Sequence, residues 1–127
     1  AVLEAIRRGY VTAAHDLSEG GFLVALAEMG LTNQRAPLGA VVDLGGLPGR
    51  TDEILFGEAP SRAFLTCRPD QAGVMEDLFS GRGVALKKLG TVGGDRFEVR
   101  VSEKTFSWTV AELNKAWYET IGRLMSA

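Results

Sequence analysis

The stretch AHDLSEGGFLVALAEMG, residues 14–30, decides how the rest of the chain is read. It holds the only histidine, an aspartate, a serine, a glutamate and two adjacent glycines, then turns apolar without a break. Phe22, Leu26 and Met29 recur at helical spacing, and Leu23, Val24, Ala25 and Ala27 fill most of the other faces. A helix apolar on nearly every side is a buried one. Asp16 and Glu19, three residues apart, have the spacing of a capping box for its start. That spacing gives no reason for Gly20 and Gly21, because glycine in a first helical turn costs up to about 1 kcal/mol relative to alanine. Two explanations stand open. One is close packing of the helix start against a neighbouring backbone. The other is access for an anion to the free amides, where helix polarity favours negative charge. On the second, Asp16 is available to hold Mg²⁺ and the Ser18 hydroxyl to donate to a phosphate oxygen beside Gly20 and Gly21. Mg²⁺ suits such a half-site, since it usually takes one or two carboxylates and completes its octahedron with water and phosphate oxygens.

Working outward, Val2, Leu3 and Ile6 followed by Arg7, Arg8 and Gly9 read as a helix ending in cations and a glycine stop, with a short strand over residues 10–14. Residues 38–44 (LGAVVDL) read as a buried strand, GGLPGRTD as a loop, and residues 53–56 as one helical turn closed by Gly57. Residues 63–67 are apolar enough for a central strand, and Pro60 and Pro69 lie outside it. A helix over 70–80 turns Ala72, Met75, Leu78 and Phe79 inward. Residues 84–92 and 96–101 read as two strands joined by a tight turn at Gly93, Gly94 and Asp95, the second with Glu98 and Arg100 on a wet face. Val110, Leu113, Trp117, Ile121 and Leu124 then mark an amphipathic helix, opened by a Thr109–Glu112 capping box. This order predicts an α+β domain with a mixed sheet covered by helices.

With 127 residues, the chain fits one domain around one core. Its 46% hydrophobic and 24% charged residues match soluble globular proteins and suggest neither disorder nor a membrane span. The net charge of −2 is spread without a basic block, which disfavours nucleic acid as a partner. Cys67 is the lone cysteine, so neither an internal disulfide nor a cysteine metal cage can form, and a cytoplasmic setting fits best. The N-terminus lacks a signal peptide and an initiating Met and begins inside a helix, so a piece of a longer protein is expected. His15, alone at a strand end, reads as structural or metal-adjacent rather than catalytic. Glu58 and Arg62 flank an Ala-Pro-Ser turn and are expected to form a local salt bridge. No catalytic residue is assigned.

Three motifs, AHDLSEGGFLVALAEM, LFGEAPSRAFLT and LGTVGGDRFEV, in this order and spacing, closely resemble the C-terminal domain of the phosphoribosylformylglycinamidine synthase family. The resemblance extends over nearly the whole chain, and more loosely to the aminoimidazole ribonucleotide synthetase superfamily. It implies a three-layer α/β/α domain packing beside a separate, upstream ATP-binding domain. It also implies an ATP-dependent carbon-nitrogen ligase of de novo purine synthesis: ATP activates the amide oxygen of formylglycinamide ribonucleotide, and ammonia from glutamine displaces phosphate. Glutaminase and small accessory subunits are the implied partners in a multi-subunit form. By the same resemblance Asp16 is the Mg²⁺ ligand and Ser18 the nucleotide-phosphate contact, with ATP or ADP held structurally rather than turned over. Ala59 and Pro60 stand where the family's other internal copy has polar side chains that touch substrate, which implies a scaffold role for this copy. The rival readings are another synthetase or kinase of the superfamily, and a module that serves association only.

Overall fold

Two sheets of unequal size organise the chain in the computed structural model, which describes residues 1–126. Strand β1 (Ala13–Asp16) pairs antiparallel with β3 (Ala63–Thr66) as a two-stranded ribbon. The larger sheet has the order β4 (Gly90–Val92), β2 (Ala40–Asp43), β5 (Arg96–Val101) and β6 (Lys104–Thr109). It is mixed: β2 runs parallel to β5 and antiparallel to β4, and β5 and β6 are antiparallel. The helices are α1 (Val2–Arg7), α2 (Gly21–Leu31), α3 (Thr51–Phe56), α4 (Ala72–Gly81) and α5 (Val110–Met125), and a 3₁₀ turn at Pro69–Gln71 leads into α4.

Strand alternation sorts the ribbon's side chains into two faces. Phe64, opposite His15, faces α2 and meets Phe22 edge to face, with ring centroids 4.3 Å apart. Leu65 and Cys67 face the other way, onto Ala5 of α1 and Met75 and Phe79 of α4. The ribbon therefore lies between two helical layers. Beyond it, Phe22, Ala25, Leu26 and Leu31 of α2 share one core with Ala40, Val42, Phe97, Val99 and Val101 of the mixed sheet. The architecture is α+β with a mixed sheet, as the element order implies, and α2, with no exposed residue along its length, is the buried helix its composition predicts.

Several local expectations change. The strand expected over 10–14 begins later, because Tyr10 and Val11 pack into the α1–α4 cluster instead. Residues 63–67 do not form a central strand; β3 is one of only two strands in its sheet, and it is apolar because helices cover both faces. The segment 38–44 is only half dry, since Ala40 and Val42 are buried while Val41 and Asp43 are exposed. The expected hairpin between 84–92 and 96–101 does not form. Only Gly90–Val92 is strand, and β4 and β5 flank β2 rather than pair. The glycine turn steps across the end of β2, where Gly93 N donates to Gly39 O at 2.8 Å and Gly39 N to Gly94 O at 3.0 Å. The strand β6 escaped the sequence reading, although Phe106 and Trp108 alternate with Thr105 and Ser107; it returns on β5 through Ser102, a non-glycine residue at φ 52°.

Candidate functional site

The segment 14–30 sits where the ribbon hands over to α2. β1 ends at Asp16, and the chain turns through Leu17, Ser18 and Glu19 to Gly20 and Gly21, at φ 76° and 66°. Left-handed backbone favours glycine at both positions. A Cβ on Gly21 would stand 2.5 Å from the carbonyl carbon of Phe56 at the end of α3. Close packing of α2 against α3 thus accounts for that glycine. Residue 20, not residue 16, is the N-cap, and no side chain caps the helix in the usual way. The capping box expected between Asp16 and Glu19 is absent because Asp16 is held in the β1 ladder opposite Ala63, and the helix starts too far downstream for it to reach.

A different carboxylate takes that place. Gly20 N donates to Glu58 Oε1 at 2.9 Å, and Gly21 N donates to Ser18 O at 3.3 Å. Glu58 brings negative charge to the positive end of the α2 dipole. Arg62 turns elsewhere: its Nη2 donates to Gly57 O at 2.6 Å, and its own carbonyl accepts from Leu17 N at 3.0 Å. The expected Glu58–Arg62 salt bridge is therefore replaced by two separate ties. The Glu58 carboxylate and the Arg62 carbonyl bind the α3–β3 loop, with Ser61 at φ 65°, to the Asp16–Gly21 turn, while the Arg62 guanidinium closes the loop on Gly57.

His15 is half-buried with both ring nitrogens engaged: Nδ1 lies 2.6 Å from Asp16 O, and Nε2 lies 2.9 Å from Glu28 Oε2. It ties β1 to α2. The Asp16 carboxylate stays free in water, 75% exposed, with His15 Nδ1 no nearer than 3.7 Å. Ser18 and Glu19 are exposed beside it. Ser18, Glu19, Gly20, Val24 and Glu28 line a shallow groove whose far wall is Trp117 of α5. Trp117 is the residue that sequence reading did not place here; its helical spacing put it on the apolar face of α5, and it is half exposed. Among the described residues no group of three or more metal-ligating side chains gathers. One open carboxylate beside a hydroxyl fits a Mg²⁺ whose other positions are filled by water and phosphate oxygens, and it does not fit a site enclosed by this chain alone.

The profile of the family described as AIR synthase related protein, C-terminal domain, matches residues 1–102. The chain belongs to this family. Among curated proteins, this AIR synthase related domain is 41% identical over 117 residues to phosphoribosylformylglycinamidine synthase subunit PurL of Brucella ovis, covering 91% of the chain and 15% of that protein. The chain thus spans about a sixth or less of the length of such relatives. Among solved structures, T. maritima PurL complexed with ATP superposes with a TM-score of 0.74 at 24% identity, covering 88% of this chain and 20% of that one. The structure of PurLQS from Thermotoga maritima gives the same TM-score of 0.74, identity of 24% and coverage of 88% and 20%. At that identity the likeness establishes the fold. Among the described residues no helix is long and apolar enough to cross a membrane.

Proposed function

We propose that this AIR synthase related domain is the C-terminal domain of a cytoplasmic phosphoribosylformylglycinamidine synthase, and that within it the domain is mainly a scaffold carrying half of an accessory Mg-nucleotide site. The observation that carries the reading is the pairing of an unengaged Asp16 carboxylate with an exposed Ser18 hydroxyl at the mouth of α2, in a chain 41% identical to a PurL subunit. Asp16 would hold Mg²⁺ and Ser18 would donate to a phosphate oxygen. The bound metal would supply charge neutralisation of the phosphates. The Gly20 amide is taken by Glu58, so the hydroxyl of Ser18 and not that amide would meet the phosphate.

The whole enzyme would join ammonia from glutamine to formylglycinamide ribonucleotide at the expense of ATP. An upstream ATP-binding domain of the same polypeptide would supply most ligands, and glutaminase and small accessory subunits would be partners in a multi-subunit form. The likeness to a PurL that was complexed with ATP supports a nucleotide ligand. Calorimetric titration of the full-length synthase with Mg-ADP, after retained nucleotide has been stripped, tests the half-site. Asp16→Ala should weaken binding at the accessory site by tenfold or more, with Ser18→Ala weakening it less. Affinity unchanged in both variants would reject the nucleotide role.

A further inference from the structure

We infer that His15 is the positioning residue for Asp16, and that Glu28 of α2, acting through the imidazole, sets the direction in which the Asp16 carboxylate points beside Ser18. This rests on the proposal that Asp16 holds Mg²⁺ next to a nucleotide phosphate.

A carboxylate that ligates a metal is ordinarily oriented by hydrogen bonds to its own oxygens. Among the described residues none orients Asp16 in that way: His15 Nδ1 stands 3.7 Å from Oδ1, too far for a hydrogen bond. Its aim has to come from the main chain. The peptide that follows Asp16 is held at both ends. Its carbonyl accepts from His15 Nδ1 at 2.6 Å, and its N–H, that of Leu17, donates to Arg62 O at 3.0 Å. The next side chain, Leu17, is buried in the core. The carboxylate is thus a free group on a fixed stem.

The far side of the ring reaches α2. His15 Nε2 and Glu28 Oε2 lie 2.9 Å apart and share one proton, and the two side chains are only 28% and 31% exposed. Water therefore competes less for this pair than for an open surface pair. Gly20, Val24 and Glu28, each four residues from the next, share one face of the helix and line the same groove as Ser18. Through the ring, that groove wall is tied to the peptide that aims Asp16. Asp16 at the end of β1 and Ser18 at the approach to α2 are thereby braced against one helix. With Glu28 turned to His15, its carboxylate acts as the brace and not as a second ligand.

Half-replacements of the ring, made in full-length synthase stripped of nucleotide, test this. An asparagine amide stands in for Nδ1 and a glutamine amide for Nε2. The quantity read is the Mg²⁺ concentration that half-saturates ADP binding in the step that Asp16→Ala weakens, beside amide-exchange protection of β1 and α2. His15→Gln keeps the reach to Glu28 but loses the donor to Asp16 O, and should raise the Mg²⁺ requirement about tenfold. His15→Asn keeps that donor and should rescue the requirement even where protection falls. Glu28→Ala should raise the requirement too, and Glu28→Gln, whose amide can donate to Nε2, should restore it. A requirement unchanged in His15→Gln, or one that merely follows the loss of protection across the variants, would reduce His15 to a structural clamp and overturn the inference. So would failure of Glu28→Gln to restore binding, which would make Glu28 a ligand. If Asp16→Ala itself leaves Mg-ADP binding whole, the half-site is rejected and the positioning role with it; if only the His15 variants are silent, the half-site stands and the positioning role alone is lost.

Discussion

Gly21 carries two constraints at once: a left-handed backbone and a Cβ position that falls on the Phe56 carbonyl. Gly21→Ala should therefore destabilise the domain by about 2 kcal/mol or more, the sum of the left-handed penalty and a backbone displacement, read as a lower denaturant midpoint. An unchanged midpoint would remove the close-packing explanation. At Glu58 the expectation separates charge from hydrogen bonding. Glu58→Ala leaves the Gly20 amide without its protein partner and should cost about 1 kcal/mol, whereas Glu58→Gln keeps an acceptor and should lose less than half of that. Denaturation curves of the two variants side by side give the answer. The glycine pair was legible in sequence as an anomaly, and close packing, one of its two offered causes, holds for Gly21; the partners were not legible, since neither Phe56 nor Glu58 is near it in the chain. Asp16 was legible as a carboxylate at a helix approach; that it stays unengaged while Glu58 takes the amide depends on the register of β1 against β3.

The helix α5 shows which element-level signals are local. Thr109 Oγ1 accepts from Glu112 N at 3.1 Å, and Thr109 N donates to Glu112 Oε2 at 2.8 Å, the reciprocal box its sequence announces. Thr109→Ala should cost about 1 kcal/mol, measured as earlier melting and faster amide exchange in the first turn of α5. The backbone amide of Thr109, and then its hydroxyl, hold the Glu112 carboxyl below the ordinary glutamate range. A lowered folded-state value means that the contribution is complete above the ordinary glutamate range and is lost as pH falls through the lowered one. Exchange protection at this turn should thus decline on acidification, by a small amount because the pair is solvated, and Glu112→Gln should flatten that decline. Sheet pairing was less legible. Two glycines between apolar segments announce a tight connection, yet they do not say whether the strands pair with each other or straddle a third. Here Gly93 and Gly94 bond to Gly39 at the end of β2, a partner supplied only by tertiary structure.

For the molecule as a whole, the α+β class, the buried α2 and the family were all readable, because they rest on helical period and on three motifs in order. The division into a ribbon and a mixed sheet was not, since an apolar strand covered by helices has the same pattern as a strand inside a larger sheet. Nor was the exposure of the second half of α5, because helical period marks an apolar face without saying what covers it. The central claim is that Asp16 anchors a structural Mg-nucleotide in a domain that steadies a larger synthase. Nucleotide retained by the purified full-length enzyme, released by denaturation and counted per chain, tests it most directly. Asp16→Ala should retain one nucleotide fewer per chain than wild type; equal retention in the two proteins would contradict the account.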